Sequence, residues 1–300
     1  MQISDWSVLL LLLKLANYLA VLALAGTLLM RLLNDSSNVE EPSLTLFYRY
    51  LKRWQITCVA IGLTASILQV PIEAGAMAES GFLGMIDPFM LEIVWRSVIG
   101  DQAVFRVLAF IVTLIAVCTW KMKTDSSHFL NFSITFLMFG AITYSFTFTG
   151  HSADKGVWVQ SILTLHIMAI ASWVGSLWPL YKSCKLLPIT LIKKLTEYFG
   201  QAAIVIVFVL IISGITLLVR YFNTFDELFT SNYGQLILVK LFFVSAMLLL
   251  GAWHKLFLVP DITQQQNVDT LKKSISVEML IALFVLIITS IFTTLVGPSY

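Results

Sequence analysis

The sequence predicts an all-α membrane protein, a polytopic bundle of eight transmembrane helices built as two parallel four-helix repeats. Three observations carry this prediction. Apolar residues make up 58% of the chain against 12% charged, with a mean hydropathy of +0.88, too little charge for a soluble chain of this length. Eight apolar runs each approach the ~20 residues that a helical span requires. The order of small and polar residues in the first four runs returns in the last four.

The runs fall at roughly 6–31, 54–73, 102–120, 129–149, 157–180, 199–221, 235–257 and 275–296, and none shows the short alternating pattern of a barrel strand. Met1-Gln2-Ile3-Ser4-Asp5 lacks a basic n-region and the first run outlasts a typical h-region, so a retained span is expected rather than a cleaved signal. Bases collect in alternate connections. Arg31, Arg49, Lys52 and Arg53 lie between spans one and two, and Lys121 and Lys123 between three and four. Lys182, Lys185, Lys193 and Lys194 follow span five, and Lys255, Lys272 and Lys273 follow span seven. The other connections carry Glu73, Glu79, Asp87, Asp154, Asp226 and Glu227. The Lys/Arg bias places the basic loops in the cytoplasm and both termini outside.

Between spans two and three, the segment 74–101 has structure of its own. Asp87-Pro88 reads as an N-cap with proline at the first helical position. Phe89, Met90, Ile93, Val94 and Trp95 then form an apolar face, Glu92 and Arg96 pair four residues apart, and Gly100 is expected to end the element. This predicts a short helix at about 88–99 lying at the outer interface.

The self-match divides the chain into 1–150 and 151–300. Asn17, Ala20 and Gly26 of span one match His166, Ala169 and Gly175 of span five at identical offsets. "GLT" at 62–64 matches "GIT" at 214–216, the step from Gly100 to Arg106 matches that from Gly234 to Lys240, and "TGHS" at 149–152 matches "VGPS" at 296–299. Each half holds four spans and starts outside, which predicts a pseudo-two-fold axis along the membrane normal, with sites near the interface of the repeats.

The halves differ at two histidines. His166 stands where the first half has Asn17, and His151 where the second half has Pro298. His166 lies about eight residues into its span, ~12 Å from the helix start. An ionisable side chain at that depth is a functional candidate, the ordinary alternative being a neutral imidazole bonded to a serine or carbonyl. His151 sits at the outer lip, where a polar loop residue is equally at home. Met77, Met85 and Met90 populate the outer segment and Met168 lies near His166 in sequence. Thioether with imidazole suits copper, Cu(I) in particular, although Met also fills apolar interiors and positions 166 and 168 do not share a helix face.

His254 and His128 fall near the cytoplasmic ends of their spans, where surface histidines are the default and an exit ligand is the sharper alternative. Lys14, Arg106 and Lys240 lie in the outer halves of their spans. Lys14 is expected to snorkel. Arg106 and Lys240 are expected to be structural, pairing with Asp101 or Glu73 or lining a vestibule. Cys58, Cys118 and Cys184 form no C-x-x-C and read as inert thiols, with Cys118 and Cys184 as receivers of a soft metal the alternative. No P-loop and no soluble domain exist. ATP-driven pumping by this chain alone is thereby excluded, and no enzymatic activity and no nucleotide or nucleic-acid partner are expected.

The second half, from "YFGQAAIVIVFVLIISGITLLVRYF" through "SNYGQLILVKLFFVSAMLLLGAWHKLFLVP" to "LKKSISVEMLIALFVLIITSIFTTLVGPSY", resembles the copper resistance protein D (CopD) domain. "TGHSADKG" and "LHIMAIASWVGSLW" resemble the histidine-bearing segments upstream of it. The resemblance implies copper handling in the bacterial inner membrane, usually import from the periplasm, often beside a periplasmic CopC-type copper-binding protein. By motif it makes His151 and His166 the first ligand candidates. Asn17 and His254 depart from the family pattern, the latter standing where members more often have Asn.

Three readings follow. In the first, a copper permease, the ion meets His151 and outer Met residues such as Met77 and Met85, then His166 with Met168 nearby, with His254 as an inner ligand. The helical rise separates His151 from His166 too far for one rigid chelate, so sequential sites are expected. In the second, the four histidines bind b-type haem for electron transfer, although His128 and His151 lie ~34 Å apart at opposite ends of span four. In the third, the chain docks a periplasmic copper carrier and moves no metal. The sequence leaves Cu(I) against Cu(II) open.

Overall fold

The computed structural model describes residues 5–34, 42–78, 81–120, 126–150, 153–221 and 226–295. Ten α-helices cover most of them: α1 Asp5–Asn34, α2 Pro42–Ala78, α3 Pro88–Trp95, α4 Val98–Thr119, α5 Ser126–Tyr144, α6 Gly156–Leu186, α7 Ile189–Tyr221, α8 Glu227–Thr230, α9 Asn232–Trp253 and α10 Gln265–Leu295. No strand occurs among the described residues. Eight helices are long and apolar enough to cross a membrane, and each overlaps one of the eight apolar runs. The fold is an all-α, multi-pass membrane bundle.

Lipid offers no hydrogen-bond partner, so hydroxyls inside the spans return their protons to their own helices. Thr64 donates to Ala60 O, Thr113 to Ala109 O, Thr143 to Phe139 O, Thr216 to Ile212 O and Thr289 to Val285 O, all at 2.7–3.0 Å. Apolar side chains such as Leu108, Ile115, Leu137, Phe208, Phe242 and Leu249 are exposed on the outside of the bundle. A soluble protein would bury such a belt; here it is the surface that meets acyl chains.

The centre is the crossing of α1 and α6. A Cβ on Gly26 would overlap the Gly175 carbonyl and stand 2.9 Å from Ser176 N, while one on Gly175 would stand 2.8 Å from the Leu22 carbonyl carbon. Only glycine on both helices permits this approach, which replaces hydrophobic driving force with close backbone packing. α1 also contacts α2, α5 and α10, and α6 also contacts α7, α10 and α5. One buried cluster around Leu24, Val59, Phe110 and Ile142 joins α1, α2, α4 and α5. Another around Trp173, Leu177, Met247 and Ile275 joins α6, α9 and α10.

The outer segment forms much as its sequence dictates. Asp87 Oδ1 accepts from Phe89 N at 2.9 Å and Met90 N at 3.0 Å, Pro88 opens the helix, and Arg96 pairs with Glu92 at 2.7 Å. Gly100 does not end this helix. α3 stops at Trp95, Ser97 caps α4 by accepting from Ile99 N at 3.2 Å, and Gly100 lies inside α4. Its bare Cα lets the first turn of α4 ride over the Trp95 carbonyl, whose carbon a Cβ would meet at 2.7 Å. Ser231 caps α9 in the same way, accepting from Gly234 N at 2.9 Å. Both capping serines stand three residues before a glycine.

Arg106 finds neutral partners rather than Asp101 or Glu73. Its Nε donates to Ser145 Oγ at 2.9 Å and its Nη1 to Gln69 Oε1 at 3.4 Å, with the guanidinium 4.5 Å from the Phe146 ring centre. Gln69 and Gln102 extend the network to the Ser145 carbonyl. Lys14 Nζ donates to Thr293 O of α10 at 3.1 Å, which ties α1 to α10.

Candidate functional site

His166 sits on α6, about ten residues from Gly156 and so ~15 Å along the helix. Its Nδ1 lies 3.0 Å from Ser213 Oγ on α7. Ser213 Oγ itself lies 2.6 Å from the Val209 carbonyl, which can only accept. The single hydroxyl proton therefore goes to that carbonyl and Nδ1–H donates to Ser213. The imidazole is held as the neutral tautomer with the lone pair on Nε2, the state a metal ligand needs. Room for the ring comes from Gly214, where a Cβ would stand 3.2 Å from His166 Cε1. Lys240 of α9 acts electrostatically on His166. A positive charge there disfavours a second cation at the ring.

Asn17 shows what the same offset does in the first half. Its Nδ2 donates to Leu13 O at 3.0 Å, and Ser66 Oγ of α2 lies 2.9 Å from its Oδ1. Asn17 is buried, and its amide group is not a soft ligand.

The other sequence candidates scatter. Met168 packs with the α1–α2–α4–α5 cluster, away from the α7 face that holds His166. Met77 is 52% exposed, and Met85 lies against Gly75, with its Cγ 2.9 Å from where a Cβ would stand. His151 lies outside the described residues, as does the side chain of His128. Cys58 and Cys184 are buried and Cys118 is exposed, all as free thiols. Among the described residues no three His, Cys, Asp or Glu side chains converge on one point.

His254 is not the surface histidine its position in the sequence implies. α9 passes at this residue into one π-helical turn, His254–Leu258, closed by Val259 N donating to His254 O at 2.8 Å. The ring of His254, whose own N–H still donates to Leu250 O as in a regular α-helix, faces α10. Its Nε2 lies 2.6 Å from Ser274 Oγ and its Nδ1 3.4 Å from Glu278 Oε2, both on α10. Glu278 was not among the sequence candidates. The missed signal was plain: a carboxylate within an apolar span deserves the attention given to His166. Single π-helical turns also occur frequently at functional sites.

Copper resistance protein D matches residues 193–292. The description "Copper resistance protein D-like, N-terminal domain" matches residues 3–161, more than half of the chain. The chain belongs to the copper resistance protein D family. It is also 28% identical over 246 residues to the copper transport protein CutJ of Bacillus subtilis (strain 168), an alignment covering 80% of this chain and 44% of that protein. The chain thus spans less than half the length of this relative. No solved structure matches it. Membership of a copper transport and resistance family fits a multi-pass bundle with imidazoles inside its spans.

Proposed function

We propose that this CopD-family chain passes copper across the bacterial inner membrane, from periplasm to cytoplasm, with His166 as the ligand inside the bundle. The observation that carries this reading is the contact of buried His166 Nδ1 with Ser213 Oγ at 3.0 Å. A buried imidazole bonded through Nδ1 to a serine whose own proton is already committed presents a metal-ready Nε2. His151, Met77 and Met85 would collect the ion at the outer face, ahead of His166. Met168 packs elsewhere and is assigned no contact with the ion in this scheme. Both termini would lie in the periplasm, as the distribution of Lys and Arg requires, where a CopC-type carrier would deliver the metal.

The two halves, 1–150 and 151–300, are proposed to be repeats about an axis through the α1–α6 crossing. Support comes from Gly26 and Gly175, which share an offset and touch each other, and from the like-placed caps Ser97 and Ser231. Within that scheme the first half keeps the structural version of the site, Asn17 with Ser66, and the second half the reactive one.

The b-type haem reading finds no favouring contact. His166 and His254 turn to serines on α7 and α10 rather than towards each other. The test is copper accumulation in cells expressing the protein. Wild type raises cellular copper and H166A does not; equal accumulation in both would sink the assignment.

A further inference from the structure

We propose that His254 and Glu278 form a second, inner metal site that takes a divalent borderline cation, Cu(II) in this protein. The proposal rests on the copper reading above and deepens it.

The two side chains form a close pair that one ion could share. Cis donors bonded at about 2.0 Å in a tetragonal Cu(II) site stand ~2.9 Å apart, and His254 Nδ1 and Glu278 Oε2, separated by 3.4 Å, reach that spacing by a small side-chain movement. Ser274 Oγ, at 2.6 Å from Nε2, holds the far side of the ring as an orienting partner does in metal sites, and leaves Nδ1 to face the carboxylate.

The carboxylate is the independent observation. Glu278 is 1% exposed, and its Oε1 has no hydrogen-bond partner among the described residues. The Trp173 indole interacts with the carboxyl group without satisfying that oxygen. Among the described residues no lysine or arginine pairs with it. Lys272 pairs with Asp269 at 3.1 Å, Lys255 Nζ donates to Gly200 O at 2.9 Å and Lys193 Nζ to Pro260 O at 3.1 Å. A buried carboxylate with an idle oxygen is expensive, and a cation placed between Nδ1 and the carboxylate removes that cost.

Imidazole nitrogen with carboxylate oxygen, and no thiolate or thioether, selects Cu(II) over Cu(I). Among the described residues two strong donors are present, so hydroxyl or water completes the coordination. Such a site binds and releases, which suits transit.

Purified full-length protein titrated with Cu(II), with bound metal counted and followed by electron paramagnetic resonance, tests the proposal. Wild type is expected to bind two Cu(II) per chain, one lost in H166A and the other in E278Q. H254Q should also lose the inner ion, because the Gln amide can keep the Ser274 bond but has no counterpart of Nδ1; it guards against misfolding of E278Q. With Cu(I) under a reductant, E278Q should match wild type. If E278Q and H254Q both bind as many Cu(II) ions as wild type while H166A binds one fewer, the inner site is overturned and the His166 reading stands. If wild type binds no copper, both fall.

Discussion

Replacing Gly175 with alanine tests whether the α1–α6 crossing holds the bundle together. The new Cβ would stand 2.8 Å from the Leu22 carbonyl carbon and 3.1 Å from Gly26 N. Carbon atoms in contact prefer about 3.5–4.0 Å. The obstacle is backbone of a second long helix, so no rotamer change relieves it and the helices must part by about 1 Å. A radial gap of that size forfeits roughly a quarter to a half of the dispersion energy of each facing atom pair. Overpacking of this kind costs about 1–3 kcal/mol, or several degrees of melting temperature at roughly 2–4 °C per kcal/mol. G214A is the matched control. Its Cβ meets the His166 ring at 3.2 Å, a contact that a small ring movement relieves. Thermal unfolding in detergent, followed by tryptophan fluorescence, should show G175A melting well below wild type and G214A close to it. A G175A protein as stable as wild type, or less perturbed than G214A, would refute the reasoning.

Two further outcomes follow from single contacts. Ser213→Ala removes the acceptor that fixes Nδ1–H of His166, so copper affinity should fall about 10–100-fold in a chelator competition titration, with the melting temperature nearly unchanged; unaltered affinity would remove Ser213 from the site. Asp87→Ala deletes the cap of α3 and should cost about 1 kcal/mol, read as roughly fivefold faster amide exchange over 88–95; equal exchange would show that packing alone holds that helix.

Much of the fold was legible because lipid imposes simple rules. Length and hydropathy locate spans, and each of the eight apolar runs overlaps a helix long enough to cross. The Asp87-Pro88 cap and the Glu92–Arg96 pair are local, so local sequence was enough. Gly100 lies inside α4 rather than ending α3, because a glycine after an apolar run signals a helix end as readily as a close crossing. Only the fold showed the Trp95 carbonyl beneath it.

The candidate site divides in the same way. His166 stands out as an ionisable residue at depth, but its tautomer depends on Ser213, 47 residues away on α7. Arg106 reads as half of an ion pair, yet three-dimensional neighbours satisfy it with Ser145, Gln69 and the Phe146 ring. His254 reads as a surface residue because it falls near the cytoplasmic end of its span. The packing of that end of α9 against α10 instead brings its ring to Ser274 and Glu278. No periodicity in the sequence announces such a contact.

The most direct measurement is copper uptake into liposomes carrying purified wild-type protein or H166A, with the folding of each checked by its melting curve. Uptake by wild type that is lost in a folded H166A protein is the predicted result. Liposomes that take up no copper with wild type, or take up the same amount with H166A, would contradict a permeation path through His166.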